Sequence, residues 1–92
     1  MHLILYSKPG CHLCENLHEK LQQITDPKLV IEIRDITTKE EWFNAYQYTI
    51  PVLCKQNQNN RDTEPEEKIL PRLSPRCSVK QIQEMLKKYT EE

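Results

Sequence analysis

Between residues 3 and 14 the apolar pattern of the chain changes its period. Leu3-Ile4-Leu5-Tyr6 is uniformly apolar and stops at Ser7-Lys8-Pro9-Gly10, after which apolar residues recur at helical spacing. A short continuous apolar run closed by a turn is the pattern of a strand buried on both faces. Leu13, Leu17, Leu21 and Ile24, with polar residues between them, predict an amphipathic helix packed on a sheet and ended by Thr25-Asp26-Pro27. Gly10, the single glycine of the chain, falls where strand must turn into helix, a place that calls for its conformational freedom.

The rest of the chain continues this alternation. Leu29-Val30-Ile31-Glu32-Ile33 is rich in branched residues and predicts a second strand, parallel to the first because a helix connects them. Thr37 and Glu40 have capping-box spacing ahead of a short helix whose apolar side is Trp42, Phe43, Ala45 and Tyr46. Ile50-Pro51-Val52-Leu53-Cys54 is a turn entering a third strand. Residues 56–67 carry no apolar side chain and are expected to form a mobile surface loop. Ile69 to Leu73 predicts a fourth strand, placed at a sheet edge by Pro71, which has no ladder donor. Ser78 and Gln81 again have capping-box spacing, and Val79, Ile82, Met85, Leu86 and Tyr89 line one side of a last helix. The order is an α/β sandwich, β-α-β-α-β-β-α, in one domain spanning residues 1–92.

Composition narrows the function. Thirteen basic against fourteen acidic residues give a formal charge of −1 with no long block of either sign, a balance that points to neither nucleic acid nor membrane. The first apolar run is too short for a signal peptide, and no stretch approaches the ~20 apolar residues of a membrane span. The expected setting is therefore cytoplasmic, with the chain acting as a monomer. In that setting four cysteines argue for catalysis or metal binding rather than for a framework of structural disulfides.

Cys11-His12-Leu13-Cys14 carries the chemistry. Disulfide exchange needs one thiolate to attack and a second thiol to resolve the mixed disulfide, and two intervening residues put both sulfurs on one helical turn. With Cys11 at the helix N-cap, unpaired N–H groups and the helix dipole favour its thiolate, so its pKa should fall below the ~8.5 of a free cysteine. Lys8 adds positive charge nearby, and His12 could donate to the thiolate. Cys11 is the expected nucleophile and Cys14, further inside the helix, the resolving thiol. The competing reading is a structural zinc half-site, which would need further ligands from Cys54, Cys77, His2, His12 or His18. No second C-x-x-C supplies them at knuckle spacing, and the expected metal complement is none.

These residues, together with Thr49-Ile50-Pro51-Val52, make the chain resemble a small glutaredoxin-like protein of the thioredoxin-fold superfamily over nearly its whole length. The resemblance implies a thioredoxin-like, glutaredoxin-type fold with a four-stranded mixed sheet. It also implies a cis Pro51 facing the dithiol, with the backbone of Ile50 pairing to an extended peptide or to glutathione. Lys8 matches the lysine that assists the thiolate. Where the family has a Gly-Gly turn and an acid before the last helix, this chain has Leu73-Ser74-Pro75-Arg76-Cys77-Ser78. Arg76 could hold a carboxylate there, and Thr49, Arg76 and Cys77 are the candidate substrate-binding residues.

The expected activity is thiol-disulfide oxidoreduction on a disulfide-containing protein or small thiol. No cofactor is bound, and glutathione or a thioredoxin-type system regenerates the pair. An alternative is a non-enzymatic module that binds a partner at Ile50-Pro51, with the dithiol as a redox-sensitive latch. Cys54 is read as a small buried hydrophobe, and Cys77 as either a rim residue of the site or an inert surface thiol. His2 and His18 are ordinary surface residues, and Trp42, Phe43 and Tyr46 are core.

Overall fold

A computed structural model describes residues 1–57, 66–74 and 76–90. Its elements are β1 (His2–Ser7), α1 (His12–Gln22), β2 (Val30–Asp35), α2 (Glu40–Tyr46), β3 (Val52–Asn57), β4 (Glu66–Ile69) and α3 (Val79–Thr90). A 3-10 turn at Ile36–Thr38 precedes α2. The strands form one mixed sheet in the order β2-β1-β3-β4, with β1 parallel to β2, and with β3 antiparallel to both β1 and β4. The sheet is the four-stranded mixed arrangement expected.

Because side chains alternate along a strand, β1 divides the interior in two. Leu3 and Leu5 face one side, where they meet Leu21 of α1, Ile24 just after it, Leu53 of β3, and Ile82, Met85 and Leu86 of α3. Ile4 and Tyr6 face the other, with Ile36, Val52 and Cys54, under partly buried Trp42, Tyr46 and Ile50. All four residues of the Leu3–Tyr6 run are 1% exposed, which is why the run carries no polar residue. The helices thus cover the sheet on both faces, α1 and α3 on one and α2 on the other.

Several expectations change in detail. Leu13 is exposed rather than packed on the sheet, because a helix start one turn above the core leaves its first apolar position outside. Thr37 lies within the 3-10 turn, and the turn is capped by Asp35, whose Oδ1 accepts from the Thr37 N–H at 2.9 Å. Helix α2 then begins after Lys39 with no side-chain cap, so Thr37 and Glu40 form no capping box. Trp42 and Tyr46, four residues apart, pack inward, while Phe43 and Ala45 on the neighbouring faces are exposed.

The fourth strand is Glu66–Ile69, earlier than the expected 69–73. The Leu70 N–H still donates to the Leu53 carbonyl at 2.9 Å, and Pro71, lacking an N–H, ends the pairing there. Residues 58–65 of the expected loop lie outside the described residues, and its ends belong to β3 and β4. At α3 the capping box is present in full, since the Ser78 N–H donates to Gln81 Oε1 at 2.8 Å and the Gln81 N–H to Ser78 Oγ at 3.1 Å.

Long-range polar contacts tie the strands together on the α2 face. The Tyr6 hydroxyl donates to Glu67 Oε2 at 2.6 Å and accepts from Arg34 Nη1 at 2.9 Å, and Arg34 also pairs with Glu32 and Glu67. The guanidinium lies 5.3 Å from the Trp42 ring centre, within cation–π range. Burial, reinforced by the bond to Glu67, pushes the Tyr6 hydroxyl pKa upward. Among the described residues no helix is long and apolar enough to cross a membrane.

Candidate functional site

The site begins with the turn between β1 and α1. Gly10 has φ of +80°, the left-handed region that costs a residue with a Cβ. This lets the Cys11 N–H return to the Lys8 carbonyl at 3.2 Å and sets Cys11 as the N-cap of α1 in extended conformation. Its Sγ accepts from the Cys14 N–H at 3.2 Å, so one of the orphan donors of the helix start points at this sulfur. Cys11 and Cys14 are joined as a disulfide, their Cα atoms 5.3 Å apart. Cys11 is half-buried and Cys14 is 3% exposed. The outer sulfur is thus the one a second molecule can reach.

The surrounding groups divide the expected roles differently. The His12 side chain is almost fully exposed, with Nδ1 3.6 Å from Glu15 Oε2. The donor to Cys11 Sγ is therefore a backbone N–H rather than the imidazole. Lys8 is exposed, and its carbonyl closes the turn. The Ile50–Pro51 bond is cis, as the resemblance implied. The Ile50 N–H donates to the Tyr46 carbonyl at 3.1 Å, so this half of the expected backbone pair is already used within the chain. Ile50, like Trp42 and Tyr46, packs against the buried cluster of Ile4, Tyr6, Ile36, Val52 and Cys54.

A cleft of about 390 Å³ lies between α1 and the turn into β3, lined by Leu13 from between the two cysteines but by neither Cys11 nor Cys14, and its volume is within the ~300–1,000 Å³ usual for ligand sites. Leu13, Asn16, Leu17 and Lys20 of α1 form one wall. Thr49, Pro51 and Leu53 lead into β3 at the floor, and Leu70 to Ser74 with Cys77 form the opposite wall. Of the candidate substrate-binding residues, Thr49 and Cys77 line this cleft. Arg76 does not, its N–H donating to Ser74 Oγ at 3.2 Å with the residue exposed. The arginine among the lining residues is Arg72.

Cys77 is buried rather than a surface thiol, and its carbonyl accepts from Lys20 Nζ at 2.8 Å. Reading the sequence did not single out Asn16, Lys20 or Arg72. The signal for Asn16 and Lys20 is their position with Leu13 and Leu17 along one stripe of a helix, a pattern equally expected of a helix packed on a sheet.

Cys54 lies outside the site. It is fully buried, and burial first, then the negative charge of Glu67, pushes its pKa up to about 11. It behaves as the small buried hydrophobe expected. His2 is exposed and His18 half-buried. Among the described residues no three His, Cys, Asp or Glu side chains gather as a metal site would require, so the zinc reading finds no ligand set there.

Comparisons with known proteins agree with this architecture. The structure is similar to that of thioredoxin 1 from the thermophilic eubacterium Thermosipho africanus TCF52B, with a TM-score of 0.62 and 17% identity, covering 99% of this chain and 96% of that one. At that identity the likeness establishes the thioredoxin-like fold. A search of curated proteins finds no match. The profile of the Glutaredoxin-like domain (DUF836) matches residues 2–87, and the chain therefore belongs to the glutaredoxin-like family.

Proposed function

We propose that the protein is a thiol-disulfide oxidoreductase in which Cys11 is the nucleophile and Cys14 the resolving thiol. The observation that carries this is the placing of Cys11 Sγ at the N-cap of α1, half-buried and bonded to a buried Cys14. In the reduced protein the Cys14 N–H and the helix dipole favour the Cys11 thiolate over the thiol. That thiolate attacks one sulfur of the substrate disulfide, forming a mixed disulfide and expelling the other sulfur as a thiolate that takes up a proton. The Cys14 thiol loses its proton and attacks Cys11 Sγ, closing the intramolecular disulfide and releasing the second substrate thiol. Two electrons pass from the dithiol to the substrate. An external thiol donor, two glutathione molecules or a thioredoxin-type dithiol, returns the pair to the reduced state.

A paired assay tests this, using a peptide disulfide as substrate and either glutathione or a thioredoxin-reductase system as donor. Wild type should turn over with at least one donor and Cys11→Ser with neither. No turnover by wild type, combined with capture of a cellular partner by Cys14→Ser, would instead support the partner-binding alternative.

A further inference from the structure

The two edges of the sheet are built differently. β4 is four residues long and begins Glu66-Glu67-Lys68, with Pro71 soon after it. A short, charged edge of this kind resists pairing with another chain. β2 is six residues long, Val30 to Asp35, with no proline in it, and among the described residues no strand pairs with its outer side. Its Val30 and Ile33 are 51% and 48% exposed, so branched side chains flank a ladder left open to solvent.

The backbone fixes which groups that ladder offers. The Val30 N–H donates to the Met1 carbonyl at 2.9 Å, so Val30, and with it Glu32 and Arg34, turn their N–H and C=O groups toward β1. Ile31, Ile33 and Asp35 alternate with these and turn theirs outward. A second copy of the strand, laid antiparallel, can use them only where odd-numbered residues meet odd-numbered ones. Centring the two-fold axis on Glu32 or on Arg34 sets like charges against each other, which is unfavourable. Centring it on Ile33 sets Ile33 against itself, Ile31 against Asp35, and Glu32 against Arg34 on both sides of the axis. Glu32 and Arg34 of one strand are already an ion pair, so the four side chains then alternate in sign around the axis. The Asp35 carbonyl accepts from Thr38 Oγ1 at 2.7 Å, and its second lone pair can take the opposing Ile31 N–H.

From this self-complementarity we infer that the protein forms a two-fold dimer, in place of the monomer expected from the sequence, by antiparallel pairing of β2 with β2 of a second copy, centred on Ile33. The interface is isologous, the same patch serving on both copies. It joins the two mixed sheets into one continuous sheet, with β4 of each copy at the outer edges. Ser7 of β1 pairs with Asp35 of β2, so each dithiol follows the C-terminal end of its own β2 and the two lie toward opposite ends of the joint. A contact made by one strand edge is at the small end of specific interfaces, so the dimer should form at about 0.1 mM and above and dissociate near about 1 μM.

Sedimentation equilibrium of the full chain from about 1 μM to about 1 mM tests this, with a thiol reductant present so that no intermolecular disulfide contributes. Over the same range the amide signals of Ile31, Ile33 and Asp35 should move with concentration while those of β4 stay. Ile33→Pro removes the donor at the axis, yet leaves every bond from β2 to β1, because the Ile33 N–H points outward. This variant should keep the wild-type circular dichroism and remain monomeric at about 1 mM. Glu32→Arg should weaken self-association at least about tenfold. Mixing it with Arg34→Glu should restore association as a heterodimer, since the exchanged charges again oppose. A wild type that stays monomeric at about 1 mM, a dimer that survives Ile33→Pro, or concentration-dependent shifts confined to another face overturns the inference. Should Arg34→Glu fail to fold for want of its contacts to Tyr6 and Glu67, Ile33→Pro still decides.

Discussion

Replacing Cys54 by alanine should abolish a specific part of the alkaline instability of this protein. Cys54 is 0% exposed, and burial raises its pKa from an ordinary 9.0 to about 11. The unfolded chain therefore releases this proton near pH 9 while the folded chain holds it to about pH 11. Over that window the folded state binds more protons, so stability present below pH 9 is lost as pH rises. At ~1.4 kcal/mol per pKa unit, with both states partly ionised, the loss at pH 11 is about 2 kcal/mol. The alanine variant has no such proton and loses only a pH-independent packing contribution of about 1 kcal/mol. Tyr6, also pushed upward by burial, is common to both proteins, and Tyr46, raised by burial first and then by Cys54 itself, loses that second contribution in the alanine variant.

Urea unfolding at pH 7.5, 9, 10 and 11 reads the difference. Both proteins should carry Cys11→Ser and Cys14→Ser, so that no disulfide is present for alkaline exchange, and serine keeps the cap at position 11. The gap between the two stabilities should shrink and then change sign as pH rises. Parallel curves from pH 7.5 to 11 would refute the claim that burial holds this thiol protonated.

Three further outcomes are expected. Reduced protein should be alkylated first at Cys11, with a pH midpoint below ~8.5, and mass spectrometry of labelled peptides will show whether Cys54 and Cys77 stay unlabelled until the protein is unfolded. Tyr6→Phe removes two hydrogen bonds to charged partners from a hydroxyl on a fully buried ring and should cost about 1.5–3 kcal/mol in denaturant unfolding, with a loss under 0.5 kcal/mol counting against the contact. Ser78→Ala breaks one arm of the α3 capping box and should cost about 1 kcal/mol, readable as a drop in thermal midpoint.

How much of this was legible in the sequence depends on the reach of each interaction. The Leu3–Tyr6 run, the α1 cap at Cys11, and the Ser78–Gln81 box are local patterns, where propensity and spacing speak directly, and the structure has all three. The position of β4 is not legible locally, because Ile69 and Leu70 look like strand interior whereas pairing with β3 begins at Glu66 among charged residues. The Arg34–Tyr6–Glu67 contacts join residues 28 to 61 positions apart, and nothing local announces them. The same holds for the cleft. Arg76 sits where a family resemblance directs attention, but it is Arg72, four residues earlier, that lines the cleft.

Gly10 has consequences for how this turn can vary. A Cβ built there would meet no atom within 4 Å, yet φ is +80°, so the constraint is chirality rather than room. Among the described residues it is the one left-handed position, and every other stretch of that backbone is open to ordinary L-amino acids. Asparagine or aspartate, which tolerate this region best, would be the accessible neighbours in mutational drift. A β-branched residue would shift the turn and carry the reactive sulfur off the helix start. The achiral residue thus acts as the joint that orients the nucleophile, and it is the point at which substitution would alter chemistry before it altered the core.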